Sequence, residues 1–131
     1  MTRYLLDTDW IIDCLSRRQD AIAVLVELAP SGLATSVITY AELSEGIASS
    51  NRRAEDEQLL EDFMSDIEVL GIDLGIARIF GERRSQLRAR GLLIDNFDLL
   101  IAATALRFDL ILVTRNVNDF RRVEGLQLHE A

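Results

Sequence analysis

Short apolar runs that alternate with longer segments of helical periodicity constrain the fold of this chain more than any other feature of its sequence. Residues 4–6 and 110–113 contain no charged side chain and do not alternate between apolar and polar positions. Strands of this kind are buried on both faces, as in a parallel sheet that helices cover on each side. We therefore predict an α/β fold with three layers, α/β/α, around a central parallel sheet. The 131 residues fit one domain, 1–131.

The remaining elements follow from the same periodicities. The predicted strands are 4–6, 33–35, 67–70, 110–113 and 126–128. The predicted helices are 9–15, 21–28, 37–48, 51–66, 74–89 and 96–106. Ser36 and Asp95 are expected to cap the helices that follow them, and Gly91 is well placed just past the end of another.

Composition narrows the class of protein. Hydrophobic residues make up 49% of the chain and charged residues 27%, which is typical of a soluble globular protein. No apolar stretch approaches the roughly 18 residues that a membrane span needs, and no leader segment is apparent, so we expect a cytoplasmic protein without membrane contact. One histidine and one cysteine exclude a zinc site built from those ligands.

The charge pattern points in two directions. The net charge is -8, which opposes long-range attraction to a polyanion. All 14 basic residues, however, are arginines, and several are clustered, including Arg83, Arg84, Arg88 and Arg90. The planar guanidinium suits bidentate contact with phosphate, so these clusters would guide a nucleic acid to the surface. The alternative is that the arginines are merely solvated.

Polar residues directly follow two of the predicted strands. Asp7 and Asp9 come after the first strand, and Thr114, Arg115 and Asn116 come after the strand at 110–113. In open parallel sheets, ligands bind beyond the carboxyl ends of the strands. We therefore expect a functional site at this edge of the sheet.

The spacing of Asp7 and Asp9 favours one further class of enzyme. Haloacid-dehalogenase phosphatases open with an apolar strand followed by Asp-x-Asp, in which the carboxylates act as nucleophile and acid/base. Such enzymes, like phosphoacceptor receiver domains, use a basic residue that is usually lysine, and this chain has none. A third hypothesis is a binding module without catalytic activity, whose acidic edge docks a basic partner peptide.

Further acids stand in apolar surroundings along the chain. Glu42 lies early in one predicted helix and Asp98 in the first turn of another, where the helix macrodipole alone would stabilise them. Together with Asp7 and Asp119, however, they are predicted to converge on one edge of the sheet. Like charges that converge are destabilising unless cations bridge them, and oxygen ligands suit Mg²⁺ or Mn²⁺. Such sites commonly serve hydrolysis at phosphorus.

Four motifs occur in series: LLDT, ITYAELSEG, DNFDLLIAATAL and LILVTRNVNDF. Their order resembles the VapC-type toxins of the PIN-domain ribonuclease superfamily, and the resemblance covers nearly the whole chain. It implies a PIN-like fold and a Mg²⁺-dependent endoribonuclease that acts as the toxin of a type II toxin–antitoxin system. It also implies an RNA substrate, a cognate antitoxin and a homodimer.

The resemblance also assigns roles to individual residues. Asp7 and Asp98 are implied to bind the metal most directly, whereas Glu42 and Asp119 ligate through water or position the attacking water. Thr114 and Asn116 would orient a ligand or water. Arg115 is the first candidate to offset charge on the scissile phosphate. Asp9 stands where such toxins more often have Asn, Ser or Thr, and we expect it to cap the helix that follows.

Overall fold

Five parallel strands form one sheet, in a computed structural model that describes residues 2–130. The strands are β1 (Tyr4–Leu6), β2 (Leu33–Ser36), β3 (Glu68–Leu70), β4 (Ile111–Val113) and β5 (Gln127–Leu128). Their spatial order is β3-β2-β1-β4-β5, and every neighbouring pair is parallel. The predicted central parallel sheet is therefore confirmed.

The helices connect the strands and cover the sheet. They are α1 (Thr8–Leu15), α2 (Gln19–Leu28), α3 (Val37–Ala48), α4 (Arg53–Met64), α5 (Leu74–Ala89), α6 (Asn96–Arg107) and α7 (Val117–Phe120). A short 3-10 turn, Ala29–Ser31, follows α2. Among the elements that residues 2–130 form, α7 and this turn have no counterpart in the prediction. Within residues 2–130, none of the helices combines the length and the apolar character that crossing a membrane requires.

Two apolar layers lie on opposite faces of the sheet. Leu5 belongs to one layer, with Leu99 and Phe120, and Leu6 belongs to the other, with Trp10. Successive side chains of a strand point to opposite faces of the sheet. Because helices cover both faces, Leu5 and Leu6 are both fully buried. This placement explains why the strand sequences are apolar without alternation, and burial of each leucine side chain contributes roughly 2 kcal/mol.

β1 is the switch point of the sheet: β2 and β3 are added on one side of it, and β4 and β5 on the other. β2 lies on one side of β1 and β4 on the other, and the Asp7 N–H extends the pairing by donating to the Val113 carbonyl at 3.0 Å. Crevices beyond the carboxyl ends of strands at such a switch point are the usual ligand sites of open α/β sheets. Ser36 and Asp95 cap α3 and α6, as predicted.

Candidate active site

Asp7 follows the central strand at the sheet edge that the carboxyl ends of the strands form, called the carboxyl edge below. Its side chain is 4% exposed and caps α1, where one carboxylate oxygen accepts the Thr8 N–H at 2.8 Å. The other oxygen accepts the Thr114 hydroxyl at 2.6 Å. Burial, reinforced by the negative charge of Asp9, raises the pKa of Asp7 to about 7, although the two hydrogen bonds oppose this rise. Two hydrogen bonds thus fix the orientation of the Asp7 carboxylate, while burial and the charge of Asp9 disfavour its ionised form.

Asp98 lies in the first turn of α6, where α3 and α7 also present acids. Burial is the largest cause that raises the pKa of Asp98 to about 6, and the negative charges of nearby acids come next. In decreasing order of effect, these acids are Asp95, Glu42, Asp119 and Asp9. The charge of Asp98 in turn raises the pKa of Asp7. The four acids predicted for the site therefore lie in one electrostatic neighbourhood.

Asn116 links two of these acids. Its side-chain amide donates to the Asp119 carboxylate at 3.2 Å and, more weakly, to the Asp98 carboxylate at 3.5 Å. Its backbone N–H donates to the Thr114 hydroxyl oxygen at 3.0 Å. The segment that follows β4 therefore contacts three of the acids through its polar groups.

Glu42 is held by a threonine that the sequence analysis did not single out. The Thr8 hydroxyl lies 2.7 Å from a Glu42 carboxylate oxygen and 3.0 Å from the Thr39 hydroxyl. Because a hydroxyl has one proton, Thr8 donates to the carboxylate and accepts from Thr39. The sequence positions of the two threonines could have indicated this contact, because Thr8 directly follows Asp7 and Thr39 precedes Glu42 by about one helical turn.

Arg115 does not extend toward the four acids. Its guanidinium stacks on the Trp10 ring at 4.1 Å, with its Nε and Nη2 each 3.0 Å from carboxylate oxygens of Asp13 and Asp20, respectively. The structure therefore pairs this side chain with residues of α1 and α2.

The prediction that Asp9 caps α1 is wrong. The helix begins at Thr8, one residue earlier than predicted, so the capping residue is Asp7 and Asp9 falls within the first turn. Both carboxylate oxygens of Asp9 lie near the backbone N–H of Arg115, at 3.2 and 3.3 Å. Burial raises the pKa of Asp9, and this hydrogen bond opposes the rise. Asp9 thus ties α1 to the segment that follows β4.

The donor chemistry of the site fits a hard divalent cation. Carboxylate oxygens gather at the edge, where burial and the negative charges of neighbouring acids raise the pKa values of Asp7 and Asp98. Among residues 2–130, no three carboxylate, thiol or imidazole groups are placed so that they could together hold an ion. Magnesium keeps several waters and commonly binds through only one or two carboxylates. Two direct ligands with water-mediated partners agree with both observations.

Comparisons with known proteins identify the family. A family model described as PIN domain matches residues 4–126. Ribonuclease VapC2 of Rickettsia felis is 32% identical over 127 residues, which cover 95% of each chain. The tRNA(fMet)-specific endonuclease VapC of Shigella flexneri is 30% identical over 130 residues, which cover 99% of this chain and 98% of that protein.

A solved structure matches the whole fold as well. VapBC2 from Rickettsia felis, bound to a DNA fragment from the promoter, superposes with a TM-score of 0.92 at 31% sequence identity and 98% coverage of both chains. The chain therefore belongs to the PIN domain family and, within it, to the VapC-type ribonucleases.

Proposed function

We propose that this chain is an endoribonuclease, the toxin of a type II toxin–antitoxin pair, and that it hydrolyses RNA phosphodiester bonds at the carboxyl edge of its sheet. Membership of the VapC-type ribonucleases supports the reaction. The observation that carries the site is a group of acids whose burial, reinforced by the negative charges of neighbouring acids, raises the pKa of Asp7 to about 7 and that of Asp98 to about 6. A bound cation would stabilise the ionised form of both carboxylates.

The proposed cofactor is Mg²⁺, with Mn²⁺ as the alternative. Asp7 and Asp98 would hold the ion directly, while Glu42 and Asp119 would act through water. When bound, the ion supplies a water of lowered pKa and neutralises charge on the phosphate.

The protein groups have separate tasks in this proposal. The Thr8 and Thr114 hydroxyls fix the carboxylates of Glu42 and Asp7, so that these oxygens need no reorganisation during the reaction. Glu42 accepts a hydrogen bond from the attacking water and orients it toward phosphorus. The new bond joins the water oxygen to phosphorus, the bond to the departing ribose oxygen breaks, and that oxygen gains a proton.

An antitoxin is the proposed protein partner, because the Rickettsia felis relative was solved as a VapBC complex. An apolar cavity of about 280 Å³ opens beside Glu42, between α1, α3 and α4. Its apolar lining includes Ile12, Leu15, Leu43, Ile47 and Leu59. A partner segment seated there would cover one of the acids. A homodimer in the cytoplasm completes the proposal, and light scattering of the purified chain would measure its oligomeric state.

The Asp-x-Asp phosphatase hypothesis is disfavoured because the chain has no lysine to steady a phosphoryl group. Asp9, its second carboxylate, has both oxygens near the Arg115 backbone N–H, which ties Asp9 to the segment that follows β4.

The decisive assay uses the purified chain, freed of any antitoxin, on total RNA and on initiator tRNA, with Mg²⁺ or with a chelator. Initiator tRNA is the first specific substrate because the Shigella flexneri relative is specific for it. We expect the wild type to cleave RNA with Mg²⁺ but not with the chelator, and the Asp98→Asn variant to cleave it under neither condition. Cleavage that persists in this variant would contradict the site. Phosphate release from small phosphoesters with RNA left intact would restore the phosphatase, and RNA binding without cleavage would favour the binding module.

A further inference from the structure

The arginines fall into a paired and an unpaired group. Eight of the 14 arginines lie within 4.0 Å of a carboxylate oxygen. In the described part of the chain the other six have no such partner: Arg3, Arg17, Arg78, Arg84, Arg88 and Arg90. Three of these six fall within seven consecutive residues, although the chain carries 22 acids. Unpaired positive charge is therefore most concentrated toward the end of α5.

This end of α5 lies beside the candidate active site. The Arg84 Nε donates to the Asn96 side-chain oxygen at 3.0 Å, and Asn96 is the first residue of α6, the helix that carries Asp98. At the opposite end of the helix pair, Arg107 of α6 is 3.5 Å from Asp73, the cap of α5. The two helices are therefore antiparallel, and the last turns of α5 flank the first turn of α6.

A second contact links the same region to α7. One nitrogen of the Arg122 guanidinium donates to the Leu93 carbonyl at 3.4 Å, and another lies 3.8 Å from the Asp119 carboxylate. Leu93 belongs to the connection between α5 and α6. The connection that follows the unpaired arginines is thereby fastened next to the acid of α7.

Two of the three arginines share one side of α5, and the third stands at its end. Arg84 and Arg88 are four residues apart on α5, which places them on one side of the helix, and Arg90 follows at the helix end. Arg88 and Arg90 are exposed, and Arg84 is partly buried. The helix macrodipole explains a cation in the last turn but neither the row of three nor the lack of acidic partners. Guanidinium groups make bidentate contacts with phosphate oxygens, and these three have no carboxylate partner that would compete for such contacts.

We propose that Arg84, Arg88 and Arg90 form an arginine rim that binds the phosphodiester backbone of the RNA substrate and leads the strand to the carboxylate edge. This inference rests on the proposed ribonuclease function and adds the surface on which the RNA lies. The rim supplies positive charge next to an acidic site, a task for which Arg115 is not free because it pairs with Asp13 and Asp20.

The test compares two triple variants of equal charge. The first replaces the rim: Arg84→Gln, Arg88→Gln, Arg90→Gln. The control replaces the other three unpaired arginines: Arg3→Gln, Arg17→Gln, Arg78→Gln. Arg3 precedes β1, Arg17 follows α1, and Arg78 lies in the first half of α5, so none of the three lies at the end of α5 that flanks the start of α6. Glutamine keeps a good helix propensity, so α5 should stay folded, which circular dichroism verifies.

The probe is fluorescently labelled initiator tRNA, titrated with each variant in a chelator so that cleavage is absent. We expect the rim variant to bind at least ~10-fold more weakly, and the slope of log K against log salt to fall by about 2, since each lost phosphate contact removes roughly 0.7 to 0.9 of slope. The control variant should match the wild type in both. With Mg²⁺, the rim variant should show a raised KM and a nearly unchanged kcat.

The other possible outcomes overturn either the arginine rim alone or the rim together with the proposed function. A wild type that cuts RNA while the rim variant binds it as tightly overturns the rim alone. Equal weakening by the control variant also overturns it, because the effect is then net charge. Labelled polyglutamate serves as a second probe: its loss from the rim variant with RNA binding intact would assign the face to an acidic protein instead. A wild type that neither binds nor cuts RNA overturns both the rim and the proposed function.

Discussion

Replacement of Asp7 by asparagine should stabilise the protein while it abolishes RNA cleavage. Asp7 is 4% exposed, and its pKa is raised to about 7 from 3.8, the value expected for the unfolded chain. The folded protein therefore holds this proton to a higher pH than the unfolded chain does. The contribution of Asp7 makes the free energy of unfolding fall as pH rises from about 4 to about 7, and it stays low above that range.

The structure sets the size of the effect. Each tenfold change in proton affinity corresponds to about 1.4 kcal/mol, so ionised Asp7 costs roughly 4 kcal/mol above pH 7. Asparagine is neutral, keeps an oxygen for the Thr8 N–H and directs its amide at the Thr114 hydroxyl oxygen, which can accept it. Part of the charge-assisted bonding is lost, so we expect a net gain of roughly 1 to 3 kcal/mol. This gain corresponds to a rise in Tm of about 4 to 12 °C for a domain of this size.

Thermal unfolding in a chelator measures this gain, and Asp66→Asn, the same substitution at an exposed acid, is the matched control. The gain should be largest at about pH 8 and should disappear toward about pH 4, where the unfolded carboxyl also holds its proton. Addition of Mg²⁺ should raise the Tm of the wild type, because an ion that binds only the folded state stabilises it, and should not raise that of Asp7→Asn.

An Asp7→Asn variant that is less stable than the wild type near pH 8 would refute the buried-charge argument. Retained cleavage of RNA by the same variant would refute the catalytic assignment of Asp7 independently of its stability.

Three further predictions follow from the contacts around the site. Asp9→Asn should keep most activity, because it retains an oxygen for the Arg115 N–H, whereas Asp9→Ala should lower kcat roughly fivefold, the equivalent of one hydrogen bond of about 1 kcal/mol; equal loss in both variants would make the charge of Asp9 essential. Thr8→Val removes the donor to Glu42 and should lower kcat by roughly 10-fold with little change in KM; an unchanged kcat would deny Glu42 its role. Titration calorimetry should show Mg²⁺ binding strengthen as pH rises through about 6 and about 7, where Asp98 and Asp7 lose their protons; pH-independent affinity would exclude both as ligands.

The secondary structure was largely predictable because apolar periodicity reports burial directly. α3 and α5 have the predicted bounds, and all five strands occur within a residue of their expected positions. α7 was not predicted because it has only four residues, too few to show a helical period. Its formation nevertheless brings Asp119 to Asn116.

The position of the acids at one edge was also predictable, since parallel strands place their carboxyl ends together. The partners of the polar residues were not. Asp9 looked like a helix cap because it is an acid near a helix start, and only the true start at Thr8 showed otherwise. Arg115 follows a strand at the site, yet its guanidinium is drawn to Trp10 and two acids of the first two helices.

The sequence by itself determined the layers of this protein and the edge at which its acids gather, because both follow from local patterns of apolar and polar residues. Only the tertiary structure decided how those acids are held and charged. The hydrogen bond from Thr114 to Asp7 joins residues 107 positions apart, and that from Arg115 to Asp9 joins residues 106 apart. The raised pKa values depend on burial and on charges brought together by folding, which no local pattern encodes.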